Sequence, residues 1–157
     1  MKPFVLICCM MLVLEPMLHA QSFNADSASA KPVTPQKKAT IDESAASLAM
    51  YFQSLYKNKT DQLQAAYSWV TTHIQYNYDS SYYFNNVDHE VKVAATLRRR
   101  KGVCENFAVL FADLATRMDI PAFVVHGYTP VAAAGKNAAH SWCAVYLNND
   151  WYLCDPT

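Results

Sequence analysis

Apolar side chains recur at helical intervals in two segments of the first half of the chain, residues 41 to 56 and residues 63 to 74. In the second segment they are spaced 3, 4 and 7 residues apart, which places them on one buried face of a helix. Asn58, between the segments, predicts the end of one helix and the cap of the next. Thr40 and Glu43 have the spacing of a capping box, so we expect the folded domain to begin near residue 40.

The second half of the chain predicts two more helices and then strands. Residues 91 to 100 predict a short helix with a basic end, and an apolar stripe that begins at Phe107 stops before Pro121. Residues 122 to 125 predict a short strand, and residues 129 to 139 predict a loop because they contain Pro, Gly and a run of Ala. The remaining residues predict a hairpin. Helices followed by antiparallel strands are typical of an α+β fold.

The first twenty residues have the pattern of an export signal. Lys2 precedes an uninterrupted apolar run over residues 4 to 14, and Ala20 is a small residue suited to a cleavage site. The run is about half of the roughly 20 residues that a membrane-spanning helix needs, so we expect cleavage and no stable membrane insertion. Residues 21 to 40 are rich in Ser, Ala, Lys and Pro and predict a flexible linker. The protein is therefore expected to be periplasmic or secreted.

Composition bounds the remaining possibilities. With 157 residues and 52% hydrophobic content, the chain has room for one domain, which we place over residues 41 to 157. The formal net charge is zero, so no overall field favours nucleic acid or an anionic membrane, and the basic run at 98 to 101 fits a helix end. Residues 76 to 86 are aromatic and polar and predict a loop. No cofactor fingerprint is present, and none is predicted.

Cysteine usage gives the first indication of chemistry. Removal of the signal leaves Cys104, Cys143 and Cys154, an odd number in an exported protein, so at least one thiol has no partner within the chain. Cys104 lies at the predicted first turn of a helix, where free amides and the helix dipole favour a thiolate. The same position makes the Cys104 N–H a candidate donor to an oxyanion, whereas the second donor is not evident.

The predicted hairpin places a histidine beside a carboxylate. If Asn148 and Asn149 form a two-residue turn, Trp142 lies opposite Asp155. His140 shares a face with Trp142 because strand side chains alternate, so His140 and Asp155 are diagonal neighbours within reach of a hydrogen bond. Such a pair can orient an imidazole and stabilise its protonated form while the imidazole activates a thiol.

Three segments resemble the motifs of the transglutaminase-like superfamily: Lys101-Gly-Val-Cys-Glu-Asn-Phe-Ala108, His140-Ser-Trp142 and Trp151-Tyr-Leu-Cys-Asp-Pro-Thr157. A segment from Tyr67 to Asp79 is similar to the helix and aromatic stretch that precede the cysteine in many bacterial members. The resemblance implies a papain-related fold in which a helix that begins at the nucleophile packs on an antiparallel sheet. It also implies a triad of Cys104 as nucleophile, His140 as general base and acid, and Asp155 as the orienting carboxylate.

Members of this superfamily transfer acyl groups from amides, so the resemblance implies a protein or peptide amide as substrate. Peptide hydrolysis, deamidation and transglutamination are the candidate reactions, with hydrolysis favoured over cross-linking. Members usually continue with further strands after Asp-Pro-Thr, which implies either a domain that is incomplete at Thr157 or a sheet that is completed in an unusual way. The alternative from another functional class is a non-catalytic transglutaminase-like domain that binds proteins.

Two other uses of the cysteines stay open. Cys143 lies opposite Cys154 in the hairpin at a spacing that a disulfide accepts, and two buried free thiols are the alternative. A zinc site could combine Cys104, His126, His140 and Cys143, but no Cys-x-x-Cys or His-x-x-x-His spacing is present. No metal is therefore predicted.

Overall fold

The computed structural model describes residues 44–78, 87–131 and 136–157. The elements are, in order, α1 Ala45–Leu55, α2 Lys59–His73, β1 Gln75–Tyr76, α3 His89–Arg99, β2 Lys101–Gly102, α4 Cys104–Arg117, β3 Ala122–Val131, β4 Lys136–Leu147 and β5 Asp150–Cys154. Helices precede a three-stranded antiparallel sheet, which confirms the predicted α+β class. The expected signal peptide, the linker and the capping box at Thr40 lie outside the described residues.

Polar side chains set the starts of the first two helices. The Ser44 hydroxyl accepts a hydrogen bond from the Ser47 N–H, and the Asn58 side chain accepts one from the Asp61 N–H at 2.8 Å. These bonds satisfy amides that have no partner within the first turn. The predicted role of Asn58 as a cap is confirmed. Within the described ranges, no helix is both long and apolar enough to cross a bilayer.

The central element is α4. Every side chain from Asn106 to Ala115 is buried, because α1, α2 and α3 pack around the helix and the sheet formed by β3 and β4 covers its other side. A helix that is covered on all sides needs apolar residues around most of its circumference, and the segment Phe107-Ala-Val-Leu-Phe-Ala supplies them. Cys104 is the first residue of this helix, as predicted.

The hairpin of β4 and β5 has the predicted register. Leu147 pairs with Asp150 and Cys143 pairs with Cys154. The turn residues Asn148 and Asn149 have φ values of 52° and 72°. Positive φ at both positions is the geometry of a type I′ turn, whose twist matches that of the flanking strands.

The prediction of a loop over residues 129 to 139 is wrong at both of its ends. β3 continues to Val131, β4 begins at Lys136, and Pro130 pairs with Asn137. Proline is tolerated there because β3 lies at one edge of the described sheet, where the missing N–H interrupts no second ladder. Residues 132–135 lie outside the described residues.

A short parallel pair was not predicted from the sequence. Gln75 pairs with Lys101 and Tyr76 pairs with Gly102, so part of the segment expected to be a loop is a strand. The Asn77 N–H donates to the Gly102 carbonyl at 2.9 Å. This pairing fixes the end of α2 beside the residues that lead into α4.

The turn at Asn149 allows a direct test of the hairpin. We expect Asn149→Gly to be at least as stable as the wild type. Asn149→Ala should have a free energy of unfolding about 1 kcal/mol lower than that of the glycine variant, because Cβ disfavours positive φ. Both variants lose the 3.0 Å hydrogen bond from the Tyr146 hydroxyl to the Asn149 side chain, so their comparison isolates the backbone effect. Urea unfolding measures the difference, and equal stabilities of the two variants would contradict the assigned turn.

Candidate active site

The backbone before Cys104 is held by Asn106. The Val103 N–H donates to Asn106 Oδ1 at 3.0 Å, and the Asn106 N–H donates to the Val103 carbonyl at 2.8 Å. These reciprocal bonds close the first turn of α4 around the candidate nucleophile. The Cys104 side chain is largely enclosed, since the residue is only 6% exposed.

Gly102 leaves the space that Asn106 occupies. A Cβ atom at Gly102 would lie 2.4 Å from Asn106 Cβ, which no side-chain adjustment accommodates because that atom is fixed to the backbone. Asn106 Nδ2 also donates to Thr96 Oγ1 at 3.3 Å, which ties the buried amide to α3. The Gly and Asn of the first motif therefore have structural roles beside the cysteine.

An ion pair secures α3 against the same turn. Lys92 Nζ contacts Glu105 Oε1, and both side chains are mostly buried. Glu105 also lies in the first turn of α4, where a negative charge is favourable to the helix dipole. Within the basic run at 98 to 101, Arg100 lies over the Trp69 ring at 4.6 Å from its centroid.

His140 and Asp155 form the pair predicted from the hairpin. His140 Nε2 lies 2.7 Å from Asp155 Oδ2, within hydrogen-bonding distance. A proton on Nε2 would be donated to the carboxylate, which leaves Nδ1 as the ring nitrogen that can accept a proton from a thiol.

Asp155 is held through its other oxygen as well. The Thr157 hydroxyl and the Thr157 N–H both donate to Asp155 Oδ1, at 2.5 and 3.1 Å. Burial raises the pKa of Asp155, but the hydrogen bonds from Thr157 and His140 outweigh burial and hold that pKa below its usual value. The carboxylate is therefore ionised and fixed in orientation near neutral pH.

The backbone of Asp155 is anchored to the helical layer. The Tyr67 hydroxyl on α2 donates to the Asp155 carbonyl at 2.6 Å, and the Tyr67 ring packs edge-on against Phe111. Pro156 is among the most deeply buried residues of the described chain. Each residue of the Asp-Pro-Thr motif thus has a contact: Asp155 bonds the imidazole, Pro156 fills the core, and Thr157 bonds the carboxylate.

Trp142 forms a wall beside His140. Their ring centroids are 6.0 Å apart. Gly127 pairs with His140 on the neighbouring strand, and a Cβ there would lie 2.5 Å from the Trp142 ring, so glycine is required for the indole to lie across β3. Trp151 packs elsewhere, against Phe123 and Tyr146.

The packing of α4 on β4 determines which end of the strand lies near Cys104. The Tyr146 N–H donates to the Pro121 carbonyl beyond the C-terminal end of α4, whereas Cys143 Sγ contacts the Ala108 carbonyl near its N-terminal end at 3.2 Å. The helix and the strand therefore run in the same direction. The structure brings His140 and Asp155 into direct contact, and it places Cys104 toward the same end of β4 by way of the helix.

Cys143 and Cys154 are paired across the strands, but both are free thiols. Of the two alternatives, a disulfide and two buried free thiols, the structure has the free thiols. Burial raises the pKa of Cys143 and raises that of Cys154 to about 11, so both stay protonated near neutral pH. Cys104 is the remaining thiol of the described residues.

His126 has a structural partner. It lies within β3 rather than at the predicted strand end, and its Nδ1 is 3.0 Å from the Ser141 hydroxyl. The described residues contain no group of three or more His, Cys, Asp or Glu side chains that could hold a metal ion. Asn106, Thr157, Gly127 and Tyr67 were given no role at the site from the sequence, although Asn106 and Thr157 lie within the quoted motifs and Tyr67 begins the upstream segment that resembles the family.

The role of Thr157 can be tested by removing only its hydroxyl. We expect Thr157→Val to raise the pKa of Asp155 toward its usual value, because donors to a carboxylate stabilise the charged form. Carbon-detected NMR titration of the Asp155 carboxyl measures this change. Thr157→Ser keeps the donor and should titrate like the wild type; a valine variant that also did so would show that the hydroxyl bond has no effect.

The chain is similar in sequence to known proteins. The family model described as the transglutaminase-like superfamily matches residues 29–156. Kyphoscoliosis peptidase from Mus musculus is 26% identical over 156 residues, which covers 88% of this chain and 23% of that protein. Kyphoscoliosis peptidase from Homo sapiens is 28% identical over 104 residues, covering 62% of this chain and 15% of that protein.

Solved structures share the fold. The periplasmic domain of TgpA from Pseudomonas aeruginosa has a TM-score of 0.57 at 21% identity, covering 71% of this chain and 41% of that chain. A structure described as a TGase has a TM-score of 0.55 at 19% identity, covering 72% of this chain and 30% of that one. The chain spans less than half the length of each of these proteins. Because the family model matches most of the chain, the protein belongs to the transglutaminase-like superfamily.

Proposed function

We propose that this protein is a cysteine-dependent enzyme that transfers acyl groups from amides through a thioester. Cys104 is the nucleophile, His140 is the general base and acid, and Asp155 orients the imidazole. The observation that carries the proposal is the 2.7 Å contact between His140 Nε2 and Asp155 Oδ2, which leaves Nδ1 for the thiol. Membership of a superfamily that is typically cysteine-dependent supports the same assignment.

The reaction begins when Nδ1 of His140 takes the proton of the Cys104 thiol. The thiolate attacks the amide carbonyl, the C–S bond forms, and the carbonyl electrons move to oxygen, which the Cys104 N–H can stabilise. As the C=O bond re-forms, the C–N bond breaks and the leaving amine takes a proton from the imidazolium. Throughout these steps Asp155 stays ionised and stabilises the positive ring.

The thioester is then resolved by water or by an amine. Water yields a carboxylic acid, and an amine yields a new amide. We favour hydrolysis of a peptide amide, since the two relatives found by sequence, from Mus musculus and Homo sapiens, are both named Kyphoscoliosis peptidase. Deamidation and transglutamination use the same first half-reaction.

The proposed site of action is outside the cytoplasm. The export signal expected over residues 1 to 20 supports it, and so does the likeness to a periplasmic domain. Protein or peptide amides of that compartment are the proposed substrates.

Thiol reactivity separates an enzyme from a protein-binding domain. We expect iodoacetamide at pH 6 to modify Cys104 faster than free cysteine, because the imidazole and the helix start favour its thiolate. Burial raises the pKa of Cys154 to about 11, so this thiol has far less thiolate than free cysteine at pH 6, and its side chain is also shielded from the reagent. Peptide mass mapping of the alkylated sites measures all three thiols in one sample.

The control for this experiment is His140→Gln, which should slow the modification of Cys104 while Cys143 and Cys154 stay unreactive. If Cys104 in the wild type reacts no faster than free cysteine, the non-catalytic binding domain becomes the better assignment.

Activity can be sought with a panel of peptide, glutamine and glycopeptide amides, with and without an added amine. We expect Cys104→Ala to abolish turnover and Asp155→Asn to lower kcat by about 10²- to 10⁴-fold, since loss of the orienting carboxylate disturbs the imidazole tautomer. Mass spectrometry of the products distinguishes hydrolysis from amide exchange. Turnover that survives in the Cys104→Ala variant would refute the thioester route.

A further inference from the structure

Tyr76 lies beside the candidate nucleophile although it is distant from it along the chain. The parallel pairing of β1 and β2 places Tyr76 opposite Gly102, two residues before Cys104. The Asn77 N–H bond to the Gly102 carbonyl, at 2.9 Å, fixes this register on the C-terminal side of Tyr76. The tyrosine backbone is therefore held against the segment that leads into α4.

Contacts with two other aromatic rings fix the orientation of the Tyr76 ring. Its centroid lies 6.1 Å from that of Phe107 on α4 and 5.0 Å from that of Tyr78. The residue is 43% exposed, so one part of it is packed and another part is open to a bound molecule. A rigid aromatic ring of this kind places a hydroxyl with little loss of conformational entropy.

The phenol of Tyr76 is electrostatically coupled to Cys104. Burial raises the pKa of Tyr76, the charge and hydrogen bonding of the Cys104 thiol raise it further, and a hydrogen bond with the Cys104 backbone partly opposes them. The phenol therefore stays protonated near neutral pH. It is a hydrogen-bond donor on a ring that packs against the first turns of α4, beside the segment that leads into Cys104.

We propose that the Tyr76 hydroxyl is the second donor of the oxyanion hole, acting together with the Cys104 N–H. The Cys104 N–H belongs to the first residue of α4, where no carbonyl within the helix can accept it. A substrate carbonyl oxygen that displaces the contact between the phenol and this amide would receive both hydrogen bonds. This inference rests on the acyl-transfer function proposed above.

In the reaction, the two donors act on the oxygen as charge develops. When the C–S bond forms, the carbonyl π electrons move to oxygen, and the Tyr76 O–H and Cys104 N–H stabilise the resulting anion. When the C=O bond re-forms and the leaving group departs, the oxygen is neutral again and both hydrogen bonds weaken. No proton leaves Tyr76, which agrees with its raised pKa.

Tyr78 provides a matched control on the same segment. It is 88% exposed and packs on the Tyr76 ring. Replacing either tyrosine with Phe removes one hydroxyl and retains the ring, so the two variants differ only in which hydroxyl is lost.

The experiment measures acylation and alkylation of the full chain in parallel. Acylation by p-nitrophenyl acetate passes through an oxyanion, whereas alkylation of Cys104 by iodoacetamide at pH 9 does not. We expect Tyr76→Phe to slow acylation by about 10²- to 10³-fold and to change alkylation by less than about threefold. Tyr78→Phe should keep both rates near those of the wild type.

The outcomes distinguish this inference from the function on which it rests. If the wild type is acylated and Tyr76→Phe is acylated at the same rate, the assignment of Tyr76 is wrong and the triad is unaffected. An equal fall in acylation and alkylation would mean that Tyr76 acts on the thiol rather than on the oxyanion, which also overturns the proposal. A wild type that is not acylated at Cys104 overturns both the proposed function and this inference.

Discussion

The burial of α4 is the constraint on which the other features depend. A helix enclosed by three helices and a sheet cannot shift along its axis without opening the core, so its first residue has a fixed position relative to β4. The direction of packing, with Pro121 beside Tyr146 and Ala108 beside Cys143, then determines which end of the strand lies near Cys104. The location of the candidate nucleophile is thus a consequence of core packing, and the local bonds of Asn106 refine it.

A second constraint is the register of the hairpin. The positive φ values at Asn148 and Asn149 fix a two-residue turn, and every pair that follows is counted from it. A slip of one residue would move Asp155 to the other face of the sheet and separate it from His140. The turn lies at the far end of the strands from the carboxylate, yet it determines whether imidazole and carboxylate meet. Thr157 then fixes the carboxylate oxygen that His140 does not contact.

Much of this arrangement could be predicted because it is local. The cap at Asn58, the start of α4 at Cys104 and the contact of His140 with Asp155 each follow from periodicity or from counting across one turn. The extension of β3 and β4 could not be predicted, since Pro130 is acceptable only when its strand lies at an edge, and that depends on the whole sheet. The pairing of Tyr76 with Gly102 and the contact of Gly127 with Trp142 join distant segments with no periodic pattern. Which of the two neighbouring tyrosines packs against α4 is therefore a property of the fold alone.

The contact between Gly127 and Trp142 also has a consequence for how this sequence can change over time. The space for a side chain at position 127 is taken by an indole from the adjacent strand, so the two positions are not independent. A larger residue at 127 becomes acceptable only after the tryptophan has been exchanged for a smaller side chain, and that exchange removes the wall beside His140. The order of the two substitutions therefore matters, and a sequence that carries only one of them either has a steric clash or lacks the indole. Homologues that keep the tryptophan should keep the glycine, and the two residues should be lost together.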